Sequence, residues 1–498
     1  MSFVLVNNFN TTLSAASSNT SDTFTVSSSA NLPTLAAGEV LPITLNDAAT
    51  RLVFEICYVT GISGNILTVE RAQEGTSAHN WNVGDFIWNG PTAGTALLQN
   101  TVDAFTTSGL ITANGGITTD WINTTSIFNV KYYGATGNGT TDDTTAIQNA
   151  LNAAETAGNA TVYFPAGAYL VSSQLSWTAP GINSRLVIKG DRQGVSAIVW
   201  ASTSSTVGIV LNNSGTNDVD SSAFTIKNLS LYAGGAFSSA TALTVNQSGT
   251  IGNPNNLPQS KIENVTISGD KVYSGSNYFL NGIIFNSFSN VSIVDTTIIG
   301  PSTLSAGNGI STSGTSATPP AIFNLSRVMI QYFTHGFNFG DYTQGVTVDQ
   351  SNFNENLYGI YVPASLSNLN QLTVSNSQFM NTGGAIWTNS QMNGLIIVGN
   401  LIFVYNDSTG IVVSGAYGSI IGNTFFLVGS APLNQNGIEI NGVGPIIISG
   451  NMIQQQNYGI NLTSSSSLIT VLGNAYQLNA SANVLNNGTS NSVGVATD

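Results

Sequence analysis

The chain has 498 residues, of which 7% are charged, 42% are hydrophobic and 52 are glycine, with a formal net charge of −14. That length exceeds what one compact core holds, and Ser, Thr and Asn must supply most of the solubility, a profile that fits an elongated β solenoid better than a helical enzyme. Ten Lys plus Arg cannot line a phosphate backbone and no apolar run nears about 20 residues, so neither nucleic acid nor membrane insertion is expected.

Residues 1–96 form a first unit of short alternating segments, 23–26, 40–45, 52–59, 66–69 and 86–88, punctuated by turn residues, which predicts a small antiparallel β domain. The single Cys57 lies on one of these strands, where a buried inert thiol is expected. Met1 to Asn10 has neither a basic n-region nor a long apolar h-region, so secretion through a signal peptide is not expected. The stretch VTGISGNILTVERAQEGTSAHNWNVGD, residues 59–85, resembles the N-terminal attachment domains of bacteriophage tail fibres and tailspikes: a strand ending in Arg71, a Gln-Glu-Gly-Thr turn, the aromatic anchor Trp81 and a Gly-Asp hairpin.

Residues 97–126 read as a connector or neck, with Leu97, Leu98, Val102 and Phe105 able to bury themselves only against other copies, since so short an amphipathic run is unstable alone. Residues 127–480 read as the solenoid. They open with an apolar strand, a Gly-rich turn, Asp142 and Asp143, and a helix near 143–157 with Ile147, Ala150, Leu151 and Ala154 at helical period. An acidic residue there caps free amides at the positive end of the helix dipole. No Lys and no phosphate-binding spacing accompany the Gly-rich turn, so it is not a phosphate cradle. The run YYGATGNGTTDDTTAIQNAL, followed by VYFPAGAYLV, resembles the entry segment of pectate-lyase-like right-handed parallel β-helices, and the resemblance implies that Asp142 and Asp143 are structural.

Downstream, Asn376, Asn400, Asn423, Asn451 and Asn474 recur at intervals of 24, 23, 28 and 23 residues, one solenoid coil each, and read as a structural amide ladder at a tight corner. A second column aligns GFNF from Gly336, GIYV from Gly359, AIWT from Ala385, GIVV from Gly410, GIEI from Gly437 and GINL from Gly459. Alternation sends Phe337, Ile360, Ile386, Ile411, Ile438 and Ile460 inward, and Asn338, Tyr361, Trp387, Val412, Glu439 and Asn461 outward, stacked at about 4.8 Å per coil. Tyr361 beneath Trp387 on a solvent face suits the CH face of a sugar ring. His335, aligned with Tyr358 and Tyr458, faces the same groove.

Glu355 and Asp407 fall in the turn leading into this column, Asp341 falls just after it, and Glu439 lies on it. Asp270, Asp295, Arg327 and Asp349 sit at the ladder corner, where an inter-coil ion-pair cluster around Arg327 is expected. No Lys or Arg follows Arg327, which leaves a lyase only His335 in this half; hydrolysis needs two carboxyls, and these are present. Glu355, Asp341, Asp407 and Glu439 are therefore the candidate catalytic carboxylates, with Tyr361, Trp387, His335, Tyr358 and Asn338 as sugar-binding residues. No Cys/His cluster or calcium loop accompanies them, so neither a metal nor a cofactor is expected.

Together the two resemblances are those of a phage or prophage tailspike. They imply an elongated homotrimer on the virion tail, joined to the phage tail or baseplate by the N-terminal domain and released by host lysis. Its glycan would be a bacterial capsule, O-antigen or exopolysaccharide, which many such spikes cleave. The readings left open are an endo-glycosidase, a binding-only receptor spike and a polysaccharide lyase, the last pointing to Lys261, Lys271 or Arg327. Residues 481–498 form a short tail without the trimerisation domain that many tailspikes carry.

Overall fold

The computed structural model describes residues 2–4, 6, 9–90, 92, 127–204, 207–214, 221–249, 257–269, 276–301, 307–429 and 434–494. The connector expected at 97–126, together with Asp270 and Lys271, lies outside these residues. The chain divides into two compact units, Met1–Thr118 and Thr119–Asp498.

In the first unit the strands Asn10–Thr12, Phe86–Trp88, Glu39–Asn46, Phe54–Ser63, Ile66–Glu70 and Thr23–Thr25 lie side by side in that order, each antiparallel to its neighbours. Ser2–Phe3 adds a short parallel pairing to Glu39–Asn46. Alternate residues, among them Phe24, Leu41, Ile43, Leu45, Val59 and Leu67, close a buried core. The strand expected from residue 52 starts at Phe54, because the Asp47 carboxylate gathers Thr50 N, Thr50 Oγ1 and Val53 N at 2.6, 2.7 and 2.9 Å and holds Leu52 in an exposed loop. Cys57 is fully buried, and burial pushes its thiol up in pKa, as suits an inert core residue.

The same unit explains its own motif. Glu55 is 0% exposed, and its carboxylate accepts from Arg71 Nη2 at 2.6 Å, Arg71 Nε at 2.7 Å, Trp81 Nε1 at 2.8 Å, Ala72 N at 3.1 Å and His79 N at 3.2 Å. Arg71 and Trp81 are therefore two sides of one buried charge cluster.

The second unit opens with the helix Thr144–Ala157, whose Ile147, Ala150, Leu151 and Ala154 are buried at the expected spacing. Its two aspartates are structural, but they divide the work differently from the capping expected of them. Asp142 accepts from Thr144 N at 3.0 Å and from Ser172 Oγ at 2.6 Å. Asp143 makes no side-chain cap; its carboxylate turns back to Thr136 N at 2.7 Å and Gly137 N at 3.0 Å, pinning the Gly-rich turn. Gly137 has φ +65 and a Cβ there would meet the buried Tyr169 ring at 2.9 Å, so the turn requires glycine.

From Asn159 the chain winds as a parallel β-helix. A representative coil runs Met392–Val398, turns at Gly399 and Asn400, continues as Leu401–Tyr405, turns again at 406–408 and closes with Thr409–Val413. Third strands of successive coils build a 12-stranded sheet from Leu175–Thr178 to Ala482–Asn486, and the first two strands of each coil build a 25-stranded sheet. Leu395, Ile397, Ile402, Val404, Ile411 and Val413 point inward and stack on their counterparts above and below.

The corner between first and second strands carries the amide ladder. Asn400 N and Nδ2 both donate to Asn423 Oδ1 at 2.9 Å, Asn423 N donates to Asn451 Oδ1 at 2.9 Å, and Asn451 N to Asn474 Oδ1 at 3.0 Å. Asn376 is not a rung. It holds the left-handed corner position, φ 46, equivalent to Gly399, Gly422, Gly450 and Gly473, while Ser377 takes the rung and accepts from Ser351 N at 3.0 Å. The rungs are buried, and left-handed geometry falls on the residue before each. Asn423→Leu removes the acceptor of the buried Asn400 N and the side-chain donor to Ile397 O, and is expected to cost about 3 kcal/mol in urea unfolding. A change below about 0.5 kcal/mol would show that the ladder adds nothing.

Candidate functional site

The 12-stranded sheet places the groove residues. Its registers pair Phe337, Ile360, Ile386, Ile411, Ile438 and Ile460 in one column and Asn338, Tyr361, Trp387, Val412, Glu439 and Asn461 in the next. All six of the first column are buried at 0% exposure, as expected. The outer column is half-buried except at Val412, which is 1% exposed and therefore covered despite its outward register. Val412 separates an aromatic cluster below from a Glu439 cluster above.

The aromatic cluster has a different internal order from a simple Tyr361–Trp387 stack. Tyr361 stacks on His335 with centroids 4.2 Å apart, and Tyr358 stacks on the same imidazole at 5.9 Å. Trp387 meets Tyr358 edge to face at 5.2 Å. Asn389 ties the two ends together, accepting from Trp387 Nε1 at 3.0 Å and donating to Tyr361 Oη at 3.2 Å. His335 Nδ1 lies 2.9 Å from Asn308 Oδ1. With that carbonyl as acceptor, Nδ1 carries the proton and Nε2 keeps its lone pair. Burial pushes the imidazole down to about 4, so it is neutral at physiological pH. One coil below Tyr361, Asn338 leaves its Oδ1 buried without a hydrogen-bond partner.

The carboxylates separate into three settings. Glu355 and Asp407 occupy left-handed positions, φ 53 and 60, at the corner before the third strand, two coils apart. At about 4.8 Å per coil their backbones are about 10 Å apart along the axis. Tyr405 reaches across with its hydroxyl 3.5 Å from Glu355 Oε1, and burial together with Glu355 raises the phenol's pKa. Asp407 accepts from Asn434 Nδ2 at 3.2 Å. Asp341 lies beyond the other end of the column and accepts from Ser367 N at 2.9 Å. Glu439 is engaged by three amides, Asn436 and Asn441 at 2.9 Å and Asn461 at 3.0 Å.

Away from the groove, Arg327 forks onto Asp295 at 2.6 and 2.9 Å. Asp349 is not part of that pair; its carboxylate is taken by Ser375 Oγ at 2.7 Å and Asn376 Nδ2 at 3.0 Å. Among the described residues no group of three or more His, Cys, Asp or Glu is placed to hold a metal ion, and no helix is long and apolar enough to cross a membrane. Tyr405, Asn389, Asn308 and, around Glu439, Asn436 and Asn441 were not singled out in the sequence, whereas Asn461 was, as the outward residue of the next coil. Asn389, two residues past Trp387 on the same strand face, carried a usable signal; Tyr405 and Asn308 act from other strands or coils.

Three-stranded coils stacked in parallel define a pectate-lyase-like β-helix, and here one face carries an aromatic cluster. Residues 127–412 match the family described as rhamnogalacturonase A/epimerase, pectate lyase-like, and the chain belongs to that family. Shorter likenesses reach proteins of Azotobacter vinelandii: mannuronan C5-epimerase AlgE3, 49% identical over 73 residues, and alginate lyase 7, 48% identical over 73 residues. These matches cover 14% of this chain and 4% and 8% of the two relatives. The A. vinelandii mannuronan C-5 epimerase AlgE4 A-module shares the fold with a TM-score of 0.54, at 17% identity over 74% of this chain and 100% of that one.

Proposed function

We propose that the chain binds a bacterial surface polysaccharide along the groove of the 12-stranded sheet and cleaves it by hydrolysis, as a tailspike-type depolymerase carried on a phage tail. The observation that carries this reading is the half-buried His335–Tyr358–Tyr361–Trp387 cluster, with Glu355 and Asp407 on the corner beside it. Fixed aromatic faces supply flat apolar area with polar edges, which is what a sugar ring meets well. Family membership and the named polysaccharide-modifying relatives support a carbohydrate ligand.

The second reading is elimination from a uronic acid. It is favoured by one observation, a neutral His335 beside Tyr358 and Tyr361 with Nε2 unprotonated and able to accept a proton, although its lowered pKa makes it a weak base. Hydrolysis ranks first because no Lys or Arg follows Arg327 to neutralise a uronate carboxylate.

The test incubates the full chain with capsule, O-antigen and exopolysaccharide from candidate hosts. Hydrolysis releases reducing ends without the ultraviolet absorbance of an unsaturated sugar; absorbance would transfer the assignment to elimination. Trp387→Ala is expected to weaken glycan binding about ten-fold, roughly 1.4 kcal/mol. Binding unchanged in that variant would remove the groove from the proposal, and absence of the chain from purified phage particles would remove the tailspike role.

A further inference from the structure

The first unit carries two aromatic rings that its own core does not use. Across the strands Asn10–Thr12, Phe86–Trp88 and Glu39–Asn46, one outward row is Thr12, Phe86 and Asn46, and the next is Asn10, Trp88 and Thr44. Phe86 and Trp88 are 37 and 41% exposed, while Ile87 between them is buried. With Arg51 and the polar side chains of Asn10, Thr12 and Asn46, the two rings line a cavity of about 590 Å³. One ring is seated by a glycine, since a Cβ on Gly90 would collide with the Trp88 indole. Arg51 supplies the charge. It sits at φ 60 in the loop gathered by the Asp47 carboxylate, and its guanidinium carbon lies 5.2 Å from the centre of the Phe86 ring. Asn46 Nδ2 closes the same loop by donating to Val53 O at 3.0 Å. Arg71 and Arg327 each fork onto a carboxylate, whereas among the described residues the Arg51 guanidinium has no ion pair and no hydrogen bond. The loop therefore holds a cation over a ring with no anion of its own.

We propose that this cavity is a second glycan-binding site, separate from the groove of the β-helix, and that it takes a saccharide bearing a uronic acid residue. The lining selects that class. Partly exposed rings suit the CH face of a sugar, and the amides and hydroxyl around them match its hydroxyl groups. A guanidinium stacked on an aromatic ring keeps its N–H edge free, and that edge fits a planar carboxylate with two parallel hydrogen bonds. The volume lies within the about 300–1,000 Å³ of small-ligand sites. A protein partner would instead favour the apolar side chains of Leu52 and Phe54, 82 and 53% exposed, and neither lines the cavity. The charge also complements what the second unit lacks. No Lys or Arg follows Arg327, so the acidic residue of a mixed glycan finds its cation at Arg51 and not beside Trp387. Binding here is independent of cleavage in the groove.

The probes are short oligomannuronate and oligogalacturonate chains, with their carboxyl-reduced, neutral counterparts. Calorimetry on the full chain is expected to detect binding of at least one acidic oligomer, and Arg51→Ala and Trp88→Ala are each expected to weaken it about ten-fold. The neutral counterpart is expected to bind the wild type as weakly as the acid binds Arg51→Ala. Trp387→Ala, in the groove of the second unit, is expected to keep the acidic oligomer, which separates this site from the groove whatever chemistry the groove performs. Arg51 lies in an exposed loop, so its variant decides alone if Trp88→Ala does not fold. No binding of either acid, equal binding of the neutral oligomer, or binding that Arg51→Ala retains and Trp387→Ala loses would each overturn the proposal. Loss of the chain from phage particles in Arg51→Ala, with no uronate binding by the wild type, would also overturn it and give the cavity to a virion protein.

Discussion

Glycan cleavage by Glu355→Gln is expected to fall about 10²–10⁴-fold with binding retained, the loss typical of removing one proton-transferring group. Glu355 and Asp407 lie on the corner before the third strand two coils apart, five residues before Ile360 and four before its column-mate Ile411, with one intervening coil between them. A backbone separation of about 10 Å lets side chains of this length approach the spacing that leaves room for a water between acid and base, the inverting arrangement. The Tyr405 hydroxyl beside Glu355 orients that carboxyl. Asp407→Asn is expected to match Glu355→Gln. Glu439→Gln is expected to lose far less, because three asparagine amides already engage its oxygens. Asp341→Asn sits at the far end of the column and is expected to act on binding alone. Rates from reducing-end release, with affinities measured separately and the product anomer followed by NMR, distinguish these roles. Full activity in both Glu355→Gln and Asp407→Asn would sink the pair.

Much of the fold was legible because a β-helix writes its geometry into the chain twice. Period-two alternation gave the inward isoleucines, and the Gly-Ile repeats gave the third-strand registers, so Phe337 to Ile460 align as read. The asparagine spacing found the ladder but was one residue out at Asn376, because Asn serves both the left-handed corner and the buried rung. Only backbone φ separates the two uses. Asp143 shows the same ambiguity: an acid before a helix reads as a cap, yet its carboxylate reaches the turn six residues back. In the groove the outward residues were legible and their partnerships were not. Tyr361 stacks on His335 and not on Trp387, a matter of rotamer that alternation leaves open. The three asparagines on Glu439 combine i−3, i+2 and Asn461 one coil away; the column alignment placed the last beside Glu439, but not its hydrogen bond.

Glu55→Gln is expected to destabilise the first unit by about 3–5 kcal/mol, because it leaves the Arg71 guanidinium buried without its counter-charge. Arg71 keeps its backbone acceptors Ser18 O, Ser21 O and His79 O, but among the described residues no other carboxylate is bonded to it. In a small β domain that loss is a large part of a total stability of about 5–15 kcal/mol. Acid reports the same interaction. Burial opposes the charge on Glu55, yet Arg71, Trp81 and the amides of Ala72 and His79 outweigh it and hold the carboxyl down to about 2 from its ordinary 4.5. A depressed acid contributes stability that is fully present above its unfolded value and is lost as pH falls through the folded one, so the window runs from about 4.5 to about 2 and is worth about 3 kcal/mol. Amide exchange in peptides from Phe54–Ser63, followed by mass spectrometry after correction for the intrinsic pH dependence, is expected to speed up across that window in the wild type. In Glu55→Gln, exchange should already be fast at pH 6 and should lack the additional step. Equal protection of this strand in both proteins at pH 6 would show that the buried pair does not hold the unit together.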